Sequence, residues 1–146
     1  MNIPIKKLRE NAILPKRQSG GAAGFDLYAA VPEDAPVVIA PGTAEFIPHG
    51  VALAIPEGFA GFIYARSGLA AKSGISPSNC VGVIDSDYRG ELITSLYNRS
   101  DTPFTVRCGD RAAQLVIAPI IAAELTPADT LPETERGAGG YGSTGR

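Results

Sequence analysis

The sequence predicts an all-β fold, namely a β-barrel or double-sheet domain with at most one short helix. Two observations lead to this prediction. Seventeen glycines and twelve prolines divide the 146-residue chain into short segments, and apolar runs lie between them. Apart from a short stretch near Ser67–Lys72, no segment keeps a helical period over about 11 residues without a breaker. Many short strands separated by regular turn signals are typical of barrels and sandwiches.

The predicted elements follow the apolar runs in chain order. The predicted strands are Val37–Ile39, Glu45–Ile47, Val51–Ile55, Phe59–Tyr64, Leu92–Tyr97 and Leu115–Ile121. Pro41-Gly42 and Pro56-Glu57-Gly58 are predicted turns, because these residue types suit the backbone angles of tight turns. The chain shows no linker and no internal repeat. We therefore expect one β domain over residues 1–135, followed by a glycine-rich C-terminal segment, residues 136–146, that is not a separate domain.

The composition is that of a globular chain, long enough for one domain with a proper core. Hydrophobic residues make up 45% of the chain and charged residues 19%, which argues against disorder. The net charge of −2 gives no general attraction to nucleic acid or to an anionic membrane, so we expect neither partner. No apolar stretch approaches a membrane span, and the first residues lack a signal-peptide core. We therefore expect a cytoplasmic or intracellular protein with Cys80 and Cys108 reduced.

The scarcity of histidine limits the possible chemistry. The single histidine, His49, lies between Pro48 and Gly50 and is predicted to be a loop residue. A Ser-His-Asp site would depend on this turn residue, and a His/Cys zinc site would have only three soft ligands without a recognisable spacing. The remaining candidates are carboxylates, hydroxyls, arginines and a hard metal such as Mg²⁺ bound by oxygen atoms.

A candidate anion site lies where the strand Phe59–Tyr64 leads into the predicted helix. Arg66 supplies a guanidinium, Ser67 a hydroxyl donor, and Gly68 allows a ligand to approach the backbone closely. The N–H groups at the start of a helix also favour negative charge. The alternative is that Ser67 merely caps the helix.

The segment Gly82–Gly90 places reactive side chains in what we predict to be a β-hairpin loop. Asp85 follows the strand end, where it would be partly buried and could act as a general base toward water. Asp87 is predicted to be a solvated turn residue. Tyr88 either packs on the hairpin or forms a platform for a sugar ring.

Two further polar residues stand in apolar surroundings. Asp26 lies in the apolar strand Ala22–Ala30, where an unpaired charge is costly. It should therefore have a partner, either an arginine or a hydrated metal. Gln114, at the head of the last strand, could donate to a phosphate or satisfy backbone groups.

The C-terminal segment combines five glycines with Arg136, Tyr141, Ser143 and Thr144. Glycines let backbone N–H groups approach phosphate oxygens, the arginine and hydroxyls can bind those oxygens, and the ring can stack on a base. The segment is thus either a flap over an anionic, ring-bearing ligand or a disordered terminus.

Taken together, five segments resemble, in order, the five motifs of the trimeric deoxyuridine triphosphatases (dUTPases). The segments are residues 22–30, 65–70, 79–92, 109–116 and 136–145. The third, Gly-Val-Ile-Asp-Ser-Asp-Tyr-Arg-Gly, and the fifth, Arg-Gly-x-Gly-Gly-aromatic-Gly-Ser-Thr-Gly, are the most specific. The resemblance implies a jelly-roll-like β domain over residues 1–135 with residues 136–146 as a C-terminal flap. It implies a homotrimer with shared active sites. It also implies Mg²⁺-dependent hydrolysis of dUTP to dUMP and pyrophosphate, which limits uracil incorporation into DNA and supplies dUMP.

The resemblance also implies roles for individual residues. Asp85 would be the base that activates water for attack on the α-phosphorus, and Asp26 would lie near the water shell of the metal. Tyr88 would pack on deoxyribose and clash with a ribose 2′-hydroxyl. The uracil pocket would be formed by Asn79, Gly82, Val83, Ile84 and Ile93. The phosphates would be held by Arg66, Ser67, Gly68 and Gln114, and the site would be closed by Arg136, Tyr141, Ser143 and Thr144.

Two alternatives remain open at this point. A dCTP deaminase of the same fold would need an acid–base glutamate in the pocket, where Glu91 is a poor substitute. A non-enzymatic nucleotide-sensing protein could keep the pocket, although the presence of Asp85 argues against this function.

Overall fold

A computed structural model describes residues 1–140 of the chain. This part consists of short strands and one short helix, as the sequence predicts. The strands are β1 (Ile5–Lys7), β2 (Phe25–Tyr28), β3 (Val37–Ile39), β4 (Ala44–Pro48), β5 (Val51–Leu53), β6 (Phe59–Tyr64), β7 (Ile75–Pro77), β8 (Gly82–Ile84), β9 (Ile93–Asn98), β10 (Phe104–Val106) and β11 (Arg111–Pro119), and the helix is α1 (Ser67–Ser73).

The strands form several small antiparallel sheets. The largest has the order β2-β11-β6-β8, and a three-stranded sheet has the order β4-β9-β7. Two further pairs, β1 with β5 and β3 with β10, complete the described part. Most pairings therefore join strands that are distant in sequence, as is usual in jelly-roll-like double-sheet domains.

The core consists of two apolar clusters, each built from several sheets. One cluster is formed by Ala12, Leu27, Val51, Leu53, Ile55, Ile63, Leu92, Ala113 and Leu115. The other is formed by Ala29, Val31, Ile39, Ile47, Ile75, Leu96, Val106 and Ala112. Strand β11 contributes to both clusters through two adjacent alanines, which a regular strand would direct to opposite faces.

A β-bulge in β11 explains how this strand serves both the core and the candidate site. The pairing with β2 shifts between Arg111 and Ala113, so that Arg111 lies opposite Tyr28 and Gln114 opposite Asp26. An extra residue in one strand re-aims the neighbouring side chains. The bulge thus buries the alanines and leaves Arg111 and Gln114 at the sheet end that carries Asp26.

The helix α1 begins after Arg66 and ends at Gly74. Gly74 has a φ of 67°, a left-handed conformation that glycine adopts without steric cost. Its N–H donates to the carbonyls of Ala70 and Leu69 and so closes the last turn. Within residues 1–140, no helix is long and apolar enough to cross a membrane.

The prediction of a hairpin is wrong. The segment Gly82–Gly90 does not form a hairpin with the following strand, because β8 pairs with β6 and both edges of β9 are taken by β4 and β7. The loop after β8 instead crosses from one sheet to another. The pairing partners of β8 and β9 are distant in sequence, so a local turn pattern cannot predict them.

Candidate active site

Asp26 forms ion pairs with two arginines at one end of the large sheet. Its side chain is 11% exposed, and each carboxylate oxygen accepts a hydrogen bond from a different arginine. Arg66 Nε lies 3.0 Å from Oδ1, and Arg111 Nη1 lies 3.1 Å from Oδ2. The expectation that this buried charge has a partner is confirmed, and the partners are two arginines.

These three residues line an open cavity of about 460 Å³. The wall also includes Gln18, Ala22, Ala23, Gly24, Tyr64, Ser67, Gly68, Gln114 and Val116. The cavity therefore brings together Asp26 and four of the predicted phosphate-binding residues. With two guanidinium groups and one carboxylate, the charged lining carries an excess of positive charge, which suits an anionic ligand.

The start of α1 contributes to this cavity without a side-chain cap. The N-cap residue is Arg66, and it makes no capping hydrogen bond with its side chain. Ser67 is the first residue of the helix and is exposed. The alternative in which Ser67 caps the helix is therefore wrong, and its hydroxyl is available to a ligand.

Gln114 is held against the turn before the helix. Its Nε2 donates a hydrogen bond of 2.9 Å to the carbonyl of Ala65. Gly24 leaves the room for this amide, since a Cβ at Gly24 would lie 2.8 Å from Gln114 Oε1. One amide hydrogen thus satisfies backbone, and the second remains for a ligand.

The predicted base-reading residues lie around β8. Asn79 sits in a tight turn, where the Val81 N–H donates to its carbonyl at 2.7 Å. The turn continues through Cys80, which has a positive φ of 64°. Gly82 and Ile84 pair with Ile63 and Gly61 of β6.

The loop after β8 carries Asp85 and Tyr88. The Tyr88 N–H donates to the Asp85 carbonyl at 3.2 Å, and Arg89 closes the turn by donating to the carbonyls of Ser86 and Tyr88. The prediction that Asp85 is partly buried is wrong, because its side chain is exposed in the single chain.

Tyr88 is fixed by the two residues at the end of this loop. Its hydroxyl donates to the Glu91 carbonyl at 2.9 Å. Its ring lies against the Cα of Gly90, where a Cβ would overlap the ring. Tyr88 remains 43% exposed and Ile93, at the start of β9, 46% exposed, so both leave apolar surface uncovered in the single chain.

His49 is buried, which the prediction of a simple loop residue did not anticipate. Its Nδ1 faces the Tyr28 carbonyl at 3.0 Å, and its Nε2 lies 2.8 Å from Thr94 Oγ1. A carbonyl can only accept, so Nδ1 carries the proton of the neutral ring. Burial lowers the pKa of His49 to about 4, opposed by the Tyr28 carbonyl and the charge of Glu91.

Glu91 connects the loop to the N-terminal segment. Both of its oxygens accept hydrogen bonds from Arg9, at 2.6 and 2.9 Å, and Oε1 also accepts the Gly50 N–H at 2.8 Å. The hydrogen bond from Arg9 is the main reason that the pKa of Glu91 is lowered. Sequence reasoning missed Arg9 and Arg111, and it considered Glu91 only as a poor acid–base group, not as the partner of Arg9. The charge requirement of Asp26 was a signal for Arg111, whereas no local signal existed for the pairing of Arg9 with Glu91.

The described chain does not bring its two groups of predicted site residues together. The cavity at Asp26 is lined by no residue from 79 to 93. Strand β8 lies at the far edge of the sheet from β2, roughly 14 Å away for three strand spacings. The cavity and the loop are therefore separate surfaces of one chain.

Of the four side chains predicted to act in the flap, only Arg136 lies among the described residues. Its Nε donates to the Gly139 carbonyl at 2.8 Å, and the residue is exposed. Tyr141, Ser143 and Thr144 lie outside the described residues.

The protein supplies few metal ligands. Residues 1–140 contain no group of three or more His, Cys, Asp or Glu side chains that could hold an ion. Asp26 is the one carboxylate among the described residues that line the cavity. Because a carboxylate has about four acceptor positions, the two arginines leave positions for metal-bound water.

Comparisons with a family model, with curated proteins and with solved structures all find dUTPases. The family model described as dUTPase matches residues 10–145. The deoxyuridine 5'-triphosphate nucleotidohydrolase of Maricaulis maris is 52% identical over 136 residues, which cover 93% of this chain and 90% of the relative. A variant of the Staphylococcus bacteriophage 80alpha dUTPase, solved with dUpNHpp, superposes with a TM-score of 0.90 at 29% identity over 99% of each chain. A variant of the phage phi11 dUTPase of S. aureus, described with a structural Mg(II) ion, gives a TM-score of 0.79 at 29% identity, covering 89% of this chain and 98% of the other.

Proposed function

Because the chain belongs to the dUTPase family and is therefore an enzyme that hydrolyses dUTP, we propose that it cleaves dUTP between the α- and β-phosphates, with Asp85 activating water and Mg²⁺ assisting. The products are dUMP and pyrophosphate. The observation that carries the proposal is the cavity in which Asp26 holds Arg66 and Arg111 beside the start of α1. This arrangement supplies preorganised positive charge for a triphosphate.

The phosphate end of the substrate binds in this cavity. Arg66 and Arg111 are oriented by Asp26 before the ligand arrives, which reduces the entropic cost of binding. Ser67, Gly68 and the second amide hydrogen of Gln114 add neutral donors. Hydrolysis at phosphorus needs positioning, charge neutralisation and one oriented water rather than a covalent nucleophile. The residue types of the cavity meet these needs.

The donor chemistry of the cavity suits Mg²⁺ held mainly by the substrate. Mg²⁺ usually keeps several waters and binds one or two carboxylates together with substrate phosphates. Asp26 would hold it through a water molecule. When bound, the ion supplies charge neutralisation on the phosphate oxygens.

The loop after β8 supplies the base, the sugar platform and the uracil contacts. Exposed Asp85 can take a proton from water once a ligand and a neighbouring subunit cover it. The Tyr88 ring packs on deoxyribose and would clash with a 2′-hydroxyl. Asn79 and the backbone of Gly82, Val83, Ile84 and Ile93 read uracil. Cytosine is rejected by mismatched donors and thymine by its methyl group.

The separation of loop and cavity supports a homotrimer with shared sites. In an assembly, the loop of one subunit can reach the cavity of another, and residues 136–146 can close over it as the flap. The chain also offers complementary apolar surfaces. A cavity of about 490 Å³ is lined by Ile3, Ile5, Phe25, Leu53, Leu115 and Ile117 among others, while Ile121, Leu125 and Leu131 are 91%, 93% and 84% exposed. Apolar side chains so exposed favour burial against a partner.

The deciding experiment measures pyrophosphate release from dUTP, dCTP, dTTP and UTP, with and without Mg²⁺. We expect rapid Mg²⁺-dependent release from dUTP alone. Release of ammonia from dCTP would instead support the deaminase alternative. That alternative needs an available glutamate, whereas both oxygens of Glu91 are bound by Arg9. Binding of dUTP without turnover would support the nucleotide-sensing alternative.

A further inference from the structure

The residues that follow Tyr88 are fastened to the turn between β4 and β5. The His49 N–H donates to the Leu92 carbonyl at 2.9 Å, and the Leu92 N–H donates to the Val51 carbonyl at 2.8 Å. The Gly50 N–H donates to the Glu91 carboxylate at 2.8 Å. The segment is thus held by both backbone and side-chain hydrogen bonds.

The turn has little freedom to adjust. Gly50 has a φ of 68°, and a Cβ there would collide with the methyl groups of Ala12 and Ala30. Its carbonyl accepts the Leu8 N–H at 2.7 Å, which ties the turn to the N-terminal segment. Arg9, the next residue, completes the connection through its two hydrogen bonds to Glu91.

Glu91 therefore makes hydrogen bonds through both its side chain and its main chain. Its side chain is fixed by Arg9 and Gly50, and its carbonyl accepts the Tyr88 hydroxyl. A two-point guanidinium–carboxylate pair is among the more rigid polar contacts in proteins. Hydrogen bonds through Glu91 thus connect the Tyr88 hydroxyl to an arginine that lies 82 residues before Glu91 in the sequence.

We propose that Arg9 and Glu91 are positioning residues for sugar discrimination, because they hold the carbonyl that fixes the Tyr88 ring. This inference rests on the proposed function, in which that ring packs on deoxyribose. A ring that rejects a 2′-hydroxyl by steric overlap must resist displacement. If the hydrogen bond that holds the ring is weakened, the ring can move aside for the 2′-hydroxyl of UTP. The use of UTP should therefore increase more than the use of dUTP decreases.

The test measures kcat and KM for dUTP and UTP in wild type, Arg9→Gln, Arg9→Lys, Glu91→Gln and Tyr88→Phe. We expect Arg9→Gln to lower the dUTP-over-UTP ratio of kcat/KM by roughly 3- to 10-fold, mainly through improved UTP use. Arg9→Lys keeps the charge but loses the fork, so its ratio should lie between those of wild type and Arg9→Gln. Arg9 is exposed, so all of its variants should fold.

A double-mutant cycle identifies the route. If Arg9 acts through the Tyr88 hydroxyl, Arg9→Gln should have little further effect on selectivity in Tyr88→Phe. Ser100→Ala is the matched control. It removes hydrogen bonds to Asn98 and Thr102 near the opposite end of β9, and it should lower stability without changing selectivity.

Two results would overturn the inference. One is a wild-type selectivity ratio in Arg9→Gln, even if its unfolding temperature falls. The other is an equal effect of Arg9→Gln in the wild-type and Tyr88→Phe backgrounds. Neither result affects the proposed function, which fails only if the wild-type enzyme does not release pyrophosphate from dUTP.

Discussion

Asp26 and Arg66, 40 residues apart in the sequence, are joined by a 3.0 Å charge-assisted hydrogen bond between Oδ1 and Nε. The bond holds the guanidinium in the wall of the cavity that we propose for the phosphates. Arg111 binds the other oxygen, so one carboxylate orients two arginines. The distance between these groups in the sequence means that the cavity exists only after the large sheet has assembled.

The Asp26 carboxylate should be required both for the stability of the fold and for the Mg²⁺ dependence of the rate. In Asp26→Asn, the amide places N–H hydrogens toward one arginine and removes the charge that holds both. We expect a loss of about 1–3 kcal/mol in the free energy of unfolding. We also expect roughly 10- to 100-fold lower kcat/KM, with a higher Mg²⁺ concentration needed for half-maximal rate. Denaturant unfolding and Mg²⁺ titration of the rate measure these effects. An unchanged Mg²⁺ dependence would contradict the role of Asp26 near the metal.

Asp85 should be required for turnover but not for binding. Asp85→Asn preserves size and lies on an exposed loop, so folding should be unaffected. Loss of a general base costs roughly 10²–10⁴ in rate, and we expect kcat to fall by this amount. Calorimetry with a non-hydrolysable dUTP analogue should give wild-type affinity. A near-normal kcat would remove Asp85 from the base role.

Gly90 should be required for the position of the Tyr88 ring. A Cβ at this residue would overlap the ring, so Gly90→Ala must displace it. We expect the dUTP-over-UTP preference to fall by roughly tenfold or more, in the range that small steric changes produce. Gly21→Ala is the control, because a Cβ there meets nothing within 4 Å. Selectivity equal to that of the control would contradict the steric role of Tyr88.

Buried His49 should make stability depend on pH. The unfolded chain binds a proton at this histidine below pH 6.5, whereas the folded protein does so only near pH 4. Stability is therefore complete above pH 6.5 and falls as the pH drops toward 4, by up to about 3 kcal/mol. The charged groups near His49 are Glu91 and, through it, Arg9. The attraction of the Glu91 charge for protonated His49 is lost only when Glu91 itself takes up a proton. Because the pKa of Glu91 is lowered, this happens at a lower pH than for an ordinary glutamate.

Denaturant unfolding between pH 4 and 7.5 tests this prediction. His49→Asn should be less stable at neutral pH, since it loses contacts to Tyr28 and Thr94, but it should show a smaller slope from pH 6.5 to 4. Glu91→Gln should keep the wild-type slope in the upper part of this range, where Glu91 stays ionised because its pKa is lowered. Equal slopes in wild type and His49→Asn would exclude His49 as the cause.

The features of the fold and site that could be predicted from the sequence are those that depend on local residue pattern or on the cost of burying a charge. The fold class, the helix at Ser67 and a charged partner for Asp26 are confirmed because turn residues, apolar runs and an unpaired charge are visible locally. The hairpin after Gly82 was wrong because strand pairing is decided by distant strands. His49 lies in the predicted loop, between β4 and β5, but its burial was not predicted, for the same reason. Its neighbours Pro48 and Gly50 indicate a turn, whereas its burial comes from β2 and β9.

Removal of residues 136–146 should separate catalysis from folding. In the described residues, the last backbone hydrogen bond from this end of the chain to the sheets is the Ile120 N–H to the Gly58 carbonyl, at 2.9 Å. Arg136 bonds only within its own segment, to Gly139. The truncated chain should therefore fold and assemble as the wild type does. If the segment closes over the substrate, kcat/KM for dUTP should fall by roughly 10²-fold or more, because closure excludes water and adds contacts to the phosphates. Full-length Arg136→Gln is the matched variant and should show part of this loss. Sedimentation and pyrophosphate release measure assembly and activity, and full activity of the truncated chain would show that the segment is not a flap.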